Sequence, residues 1–351
     1  MKKKIILFLI LTVFLLFSSC IQNNANIKKN NVGQLSIYLP GEYIDPELIE
    51  EFSKETGIKV KIENFENNED MFVKIQHGHT DYDIVVASDY MIEKMIKLDM
   101  LEKIDYLKLK NYKYIDNYFK NMKFDINNEY NVPYFYGYVG ILYNKKYIDE
   151  PVDSWNILFD EKYKGKILML NSTRDSMMIA LKTLGYSMNT IDENEINEAI
   201  NLLISQKPLV LAYGLDDIRE EMLNESAWLL PTYNGEIIDL GRENDDLELS
   251  IPKEGTNVWV DSMVILKESK NIDLIYKFID FILEPKNNAK NAEFVGYSTP
   301  NKGALDFISP EIRNNTKAYP NLSEFKNCEE FIDLDDYIKL YNDAWILLKA
   351  N

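Results

Sequence analysis

Aromatic and carboxylate side chains recur together in this chain, next to the ends of predicted strands. The residues that we single out are Glu42, Tyr43, Ser88, Tyr90, Ser172, Asp175, Tyr233, Trp259, Asp261 and Tyr297. A carboxylate accepts charge-assisted hydrogen bonds from an ammonium group. An aromatic face packs on methylene groups and attracts a cation by about 0.5–2 kcal/mol. Because strand-end lysine and arginine are scarce, with Arg174 as the exception, the pattern predicts a site for an organic ammonium ligand with an aliphatic body.

These residues must be positioned by the elements that precede them. Short apolar runs predict strands at residues 34–39, 58–62, 83–86, 166–170, 209–212 and 227–230. Capped amphipathic segments predict helices at residues 46–56, 89–95, 177–184, 193–205, 272–283 and 285–294, and another that begins at Asp216 and Asp217. Strands that alternate with helices predict an α/β fold with sheets rich in parallel strands. Such sheets bind ligands at the carboxyl ends of their strands, where the singled-out residues lie.

Two extended segments, residues 137–143 and 257–266, connect the halves of this pattern. Each half has its own strands and helices, so we predict two lobes that are joined by these segments and separated by a cleft. We assign residues 33–137 and 262–304 to lobe 1, and residues 138–261 and 305–351 to lobe 2.

The first twenty residues have the pattern of an export signal. Three lysines precede an apolar run at residues 5–17, and Ser18 and Ser19 lead into Cys20. The apolar run is shorter than the roughly 20 residues that span a bilayer. A cysteine at this place resembles a bacterial lipobox, so we predict a signal peptide at 1–19, lipid attachment at Cys20 and a polar tether at 20–32. The alternative is an ordinary cleaved signal; both place the protein outside the cytoplasmic membrane, in the periplasm or at the cell surface.

The net charge argues against nucleic acid as a partner, and the cysteine content argues against structural disulfides. The formal net charge is −18, and the predicted signal peptide contributes only positive charge, so the mature chain is more acidic still. Such a field repels nucleic acids and attracts cations, and we predict no nucleic-acid partner. Besides Cys20 there is only Cys328, which excludes an intramolecular disulfide framework in the mature chain. We predict a monomer without a cofactor.

Several stretches together resemble one known family over about residues 37–344. They are EY at 42–43, FSKETGIKV at 52–60, YDIVVAS at 82–88, YKGK at 163–166, ALKTLGY at 180–186, WVDS at 259–262 and GYSTPN at 296–301. The chain resembles the extracytoplasmic polyamine-binding proteins of ABC importers, which take up spermidine and putrescine. The resemblance implies a type II periplasmic-binding-protein fold whose lobes close over the ligand by a hinge, and a permease in the membrane as partner.

The resemblance also implies roles for individual residues. The first-lobe contacts to the ligand are Glu42, Tyr43, Ser88 and Tyr90. Among the remaining residues, Asp175 stands where the family has a glutamate that binds an amine, and Tyr233 stands where the family often has tryptophan. Trp259 and Asp261 match an aromatic–carboxylate pair of the family, and Tyr297 matches a further aromatic wall.

Some positions depart from the family pattern. Pro40-Gly41 replaces a Trp-Thr or Trp-Ser pair, and Ser172 stands where some members have a ligand-binding aspartate. Phe331 lies near the place of a late glutamine, and Asp89 is an acid where those members have a neutral residue. These differences leave the choice between spermidine and putrescine open.

Other classes of protein fit the sequence less well. An enzyme would need a nucleophile, and Cys328 lies among acids that disfavour its thiolate. A metal site would have to use His77 and His79 near Asp81, without the further ligands of a tetrahedral set, so no metal is predicted. The serious alternative is a receptor for another small solute such as a cationic amino acid, with Arg174 binding the α-carboxylate.

Overall fold

The computed structural model describes residues 33–350 except 79–80, 215–217, 321–324 and 326. The predicted signal peptide, Cys20 and the tether lie outside the described residues, as do His79 and the predicted helix start at Asp216 and Asp217. In the described ranges, no helix is long and apolar enough to cross a membrane.

The first lobe is built on parallel strands. Strand β1 (Gly33–Pro40) lies between β2 (Ile58–Phe65) and β3 (Ile84–Ser88) and runs parallel to both. The helices of this part are α1 (Pro46–Thr56), α2 (Asn68–Gln76) and α3 (Asp89–Lys97), and β4 (Leu101–Glu102) follows them. Helix α1 begins and ends as its sequence predicts: Asp45 accepts a hydrogen bond from the N–H of Glu47, and Gly57 terminates the helix at a positive φ of 74°.

Two long buried strands run between the lobes. Strand β10 (Val258–Leu266) is antiparallel to β3 and to β5 (Asn131–Asn144). Strand β5 pairs with β10 up to Tyr138, and from Val139 it pairs with β8 of the second lobe. The sheet order is therefore β2-β1-β3-β10-β5-β8-β6-β7. The predicted lobe boundary between 137 and 138 lies one residue before β5 changes partners, whereas that between 261 and 262 lies inside β10.

The second lobe repeats the parallel arrangement. Strand β6 (Ile167–Leu170) is parallel to β7 (Val210–Gly214) and β8 (Leu229–Tyr233), and β9 (Leu247–Ser250) pairs with β5. Its helices are α4 (Thr173–Leu184), α5 (Glu193–Gln206), α6 (Arg219–Leu223) and α7 (Glu236–Glu243). After β10 come α8 (Ile272–Ile282), α9 (Pro285–Val295), α10 (Pro310–Arg313) and α11 (Ile338–Ala350). Short 3-10 turns lie at Tyr106–Lys108, Tyr112–Tyr114, Asn117–Phe119, Lys123–Asp125, Trp155–Phe159, Glu161–Tyr163, Lys207–Leu209, Ala304–Asp306 and Asp335–Tyr337.

The buried apolar side chains form two hydrophobic cores. The first core contains Phe52 and Phe278 of the first lobe and extends into the second lobe through Leu230 and Leu249, whereas the second core contains Trp155 and Tyr341 of the second lobe. Two partly buried tyrosines, Tyr90 and Tyr233, pack against both cores. The predicted two-lobed α/β fold is confirmed, with the two long strands contributing antiparallel pairs at the centre.

Candidate functional site

The part of the site on the first-lobe side is centred on Asp261, although the predicted boundary makes this residue the last of lobe 2 before lobe 1 resumes at residue 262. This residue lies in β10 directly opposite Ser88, the last residue of β3. Its carboxylate is only 8 % exposed, and its Oδ2 accepts a hydrogen bond of 2.5 Å from the hydroxyl of Tyr43. Burial raises the pKa of Asp261, while Tyr43 and Ser88 act in the opposite direction. Its other oxygen, Oδ1, is buried and accepts no hydrogen bond from the part of the chain that the structure describes.

Tyr43 is held in place by residues behind it. Its carbonyl accepts a hydrogen bond of 2.8 Å from the hydroxyl of Tyr134, which itself accepts one of 2.7 Å from Asn291. Burial, together with the nearby carboxylate of Asp261, raises the pKa of Tyr43 well above its ordinary value. The phenol therefore stays protonated and remains a donor to Asp261.

Asp175 is the corresponding carboxylate of the second lobe. It lies in the first turn of α4, just after β6, and is 5 % exposed. Its Oδ2 accepts hydrogen bonds of 2.6 Å from Ser172, the N-cap residue of α4, and of 3.0 Å from the hydroxyl of Tyr233 at the end of β8. Burial raises the pKa of Asp175, and the bonds from Ser172 and Tyr233 oppose that shift. Its Oδ1 is buried without a hydrogen bond from any described residue.

A row of aromatic rings links the two carboxylates. The ring of Tyr43 lies 5.9 Å from that of Tyr297, which lies 5.1 Å from the ring of Trp259. The ring of Trp259 lies 6.2 Å from that of Tyr233. The three contacts are edge-to-face, a favourable geometry for aromatic pairs. Since Tyr43 bonds to Asp261 and Tyr233 bonds to Asp175, the row runs from one carboxylate to the other.

Tyr90 lies farther along the boundary between the lobes. Its hydroxyl donates a hydrogen bond of 3.0 Å to Glu69 of its own lobe. Its ring lies 6.3 Å from that of Phe331, which belongs to the second core. Tyr90 therefore lies beside Phe331 of the second lobe rather than in the row of rings, and its contact with a ligand stays a prediction.

Six of the strand-end residues thus form one continuous arrangement: Tyr43, Asp175, Tyr233, Trp259, Asp261 and Tyr297. The chain that carries them matches a known family. The model of the family described as bacterial extracellular solute-binding protein matches residues 47–321. This chain belongs to that family. It is 36% identical to the spermidine/putrescine-binding periplasmic protein of Escherichia coli (strain K12), over 93% of this chain and 94% of that protein. It is 28% identical to a putrescine/cadaverine-binding protein of Pseudomonas aeruginosa, over 90% of this chain and 93% of that protein.

Solved structures of solute-binding proteins have the same fold. A putative spermidine/putrescine ABC transporter from Listeria monocytogenes has a TM-score of 0.85 and 42% identity, over 90% of this chain and 98% of that chain. The spermidine/putrescine ABC transporter substrate-binding protein PotD from Streptococcus pneumoniae has a TM-score of 0.81 and 37% identity, over 91% and 99% of the two chains. The resemblance stated from the sequence is confirmed by these comparisons.

Among the residues predicted for this solute-binding protein, Glu42, like Tyr90, lies outside the row of aromatic rings and its two carboxylates. It is exposed, with a positive φ of 52°, and it makes no hydrogen bond or ion pair with any described residue. Its position next to Tyr43 keeps it close to the first-lobe carboxylate. That Glu42 contacts a ligand stays a prediction.

Arg174 makes its hydrogen bonds within the second lobe, while its guanidinium also lies 5.9 Å from the ring centre of Tyr90 of the first lobe and its Nε is buried without a partner among the described residues. Its guanidinium lies 4.3 Å from the ring centre of Phe331 and donates hydrogen bonds to Asn189, at 2.8 Å, and to the carbonyl of Ile332, at 3.4 Å. Burial lowers the pKa of Arg174. These contacts favour packing of the C-terminal segment as its role, rather than capture of a ligand carboxylate.

Asn257 was not predicted as a site residue, and Asp89 was noted only as a departure from the family pattern. Asn257 lies beside Asp175, and its Oδ1 is buried without a donor among the described residues. Its spacing from Trp259 and Asp261 offered a signal, since alternate residues of an extended chain share one face. Asp89 is 1 % exposed and accepts hydrogen bonds from the N–H groups of Tyr90, at 2.7 Å, and Val260, at 3.4 Å.

Burial raises the pKa of Asp89 well above its usual range, and repulsion from Asp261 and Glu330 adds to this. Asp89 therefore adds a further acid near Asp261.

In the described part of the chain, no group of histidine, cysteine and acidic residues could hold a metal ion. Burial also raises the pKa of the Cys328 thiol, so its thiolate is disfavoured.

Proposed function

We propose that this chain is the solute receptor of an ABC importer and that it binds a linear polyamine, putrescine or spermidine, between its lobes. One observation carries the proposal. Asp175 of lobe 2, and Asp261, which pairs with the first-lobe residues Ser88 and Phe135, are buried carboxylates that each keep one oxygen without a hydrogen bond from the described residues. The relatives named for spermidine and putrescine support this choice of ligand.

Burial raises the pKa of Asp175 and the charge of Arg174 opposes that rise, but neither Asp175 nor Asp261 forms an ion pair with a lysine or arginine of the described chain, although a buried carboxylate is costly unless it is paired. An ammonium group at each end of a ligand would supply both the charge and the missing hydrogen bonds. A diamine or triamine does this at both carboxylates with one molecule.

The aromatic row suits the remainder of such a ligand. Tyr297 and Trp259 lie between the ends of the row, where a polyamine has methylene groups. The rings exclude water, pack on the aliphatic chain and attract its charges. After ordering and desolvation costs, contacts of this kind are compatible with a micromolar site, about −8 kcal/mol.

The lobes, the anchor and the permease complete the proposal. Lobe 1 comprises residues 33–137 and 262–304, and lobe 2 comprises residues 138–261 and 305–351; the change of partners in β5 after Tyr138 supports the first boundary. Signal residues 1–19 are removed, Cys20 carries the lipid, residues 20–32 form the tether, and the protein acts as a monomer with a membrane permease. Mass spectrometry of the mature N-terminus tests the anchor.

Calorimetric titration of the mature protein tests the ligand. Putrescine, spermidine, cadaverine and arginine are titrated separately. We expect one molecule of a linear polyamine to bind tightly and arginine to bind weakly or not at all. Preferential binding of arginine would instead support the amino-acid alternative, and absence of binding by every amine would contradict the proposal.

A further inference from the structure

Helix α3 of the first lobe contacts the C-terminal segment of the second lobe outside the proposed ligand site. The Nζ of Lys97 lies 3.2 Å from Asp333 and 3.5 Å from Asp335. The same ammonium lies 3.2 Å from Glu93, one turn earlier in α3. Glu93 in turn accepts a hydrogen bond of 3.0 Å from the backbone N–H of Asp333. Two of these contacts involve Asp333, one at its carboxylate and one at its backbone N–H.

Each side of this contact is anchored in its own lobe. Helix α3 buries Met91, Ile92 and Met95 in the first core. The C-terminal segment buries Phe331 and Leu334 in the second core. Because each core holds its side in place, the contacts of Lys97 and Glu93 with Asp333 must break when the lobes move apart.

One face of α3 makes all of these contacts. Tyr90, Glu93 and Lys97 are spaced three and four residues apart, so they lie along one side of the helix. Tyr90 packs against Phe331, and the other two side chains bind Asp333. This face of α3 therefore packs along the C-terminal segment, outside the row of aromatic rings.

The ion pairs are only partly open to solvent. The Lys97 side chain is 42% exposed, whereas that of Asp333 is 8% exposed. Partial burial lowers the pKa of Lys97, but its bonds with Asp333 and Glu93 outweigh burial, so the net shift is upward. A network with one nearly buried member is screened less by salt than a pair of fully exposed charges.

We propose that Lys97, Glu93 and Asp333 form an interlobe clasp that favours the closed arrangement and thereby prolongs the lifetime of the bound ligand. They are positioning residues, since none of them belongs to the proposed ligand contacts. The part of the inference that concerns ligand lifetime rests on the proposed function. The part that concerns closure does not.

The first test measures putrescine binding by stopped flow. Lys97→Met keeps the length of the side chain and removes its charge, and we expect release to become faster by about two- to tenfold with little change in association. Lys97→Arg should restore slow release. The matched control is Lys103→Met, which removes a lysine whose ion pair with Glu129, at 2.8 Å, lies within the first lobe. The control should release putrescine at the wild-type rate.

The second test needs no ligand. Small-angle X-ray scattering gives the radius of gyration of the wild-type protein, Lys97→Met and Lys103→Met without added amine. A larger radius for Lys97→Met alone, or faster release from it alone, supports the clasp. An unchanged radius together with an unchanged release rate overturns it. If wild-type protein binds no polyamine, the proposed function fails. The radius of gyration by itself then decides whether the clasp favours the closed arrangement.

Discussion

The hydroxyl of Tyr43 donates a hydrogen bond of 2.5 Å to Asp261, although 218 positions of the chain separate the two residues. This bond occupies Oδ2 of the carboxylate and leaves Oδ1 without a donor among the described residues. Asp175 shows the same division, because Ser172 and Tyr233 both donate to its Oδ2. The protein thus orients each carboxylate through one oxygen and keeps the other available to a cation.

Replacing Asp261 by asparagine should weaken putrescine binding at least about tenfold, because a charge-assisted hydrogen bond is lost. The amide oxygen can still accept from Tyr43, so the melting temperature should change little. Calorimetry and thermal melts measure the two effects. Asp153→Asn is a suitable control, since it removes an exposed carboxylate that pairs with Lys253. Unchanged affinity in both Asp261→Asn and Asp175→Asn would count heavily against the proposed site.

The ring and the hydroxyl of Tyr233 should contribute differently. Tyr233→Phe removes the hydrogen bond to Asp175 but keeps the edge-to-face contact with Trp259, so we expect a loss of affinity of at most about threefold. Tyr233→Leu also removes the aromatic face, and we expect a loss of about tenfold or more. Titration of both variants with putrescine measures the difference. Equal losses would show that the ring itself adds nothing.

Ligand binding should weaken as the pH is lowered. Burial raises the pKa values of Asp89, Asp175 and Asp261 from the ordinary 3.8, and an ammonium ligand needs the ionised carboxylates. Without ligand, the folded protein holds these protons more tightly than the unfolded chain, so its stability should fall as the pH rises above 3.8 through the raised pKa values. Thermal melts with and without putrescine should therefore differ more at neutral than at acidic pH. A pH-independent difference would contradict this assignment.

Gly235 should be required for the lobes to meet. A Cβ at this position would lie 2.6 Å from the ring of Tyr297 and 2.9 Å from the carbonyl of Gly296. Gly235→Ala should therefore weaken putrescine binding by keeping the lobes apart. The control is Gly241→Ala in helix α7, where the nearest atom lies 3.8 Å from the added Cβ. It should raise stability by about 0.5–1 kcal/mol and leave affinity unchanged. Wild-type affinity in Gly235→Ala would show that the lobes tolerate the methyl group.

Most elements around the site were predictable because their signals are local. The N-cap at Asp45 and the glycine at residue 57 fix the ends of α1 within a dozen residues of sequence. The predicted segments 137–143 and 257–266 proved to be parts of long central strands. Their antiparallel pairing was not predicted, since strand direction depends on partners far away in the chain.

The acids and aromatic residues that follow the strands can be identified without the fold, because apolar periodicity and capping residues act over short distances. The three-dimensional arrangement was needed to show which carboxylate oxygen stays without a donor, that Asp89 is buried, and that Arg174 packs on Phe331. It was also needed to show the contact of Lys97 with Asp333, 236 positions away. Such contacts depend on how distant segments of the chain pack together, and no local pattern of residues encodes that geometry.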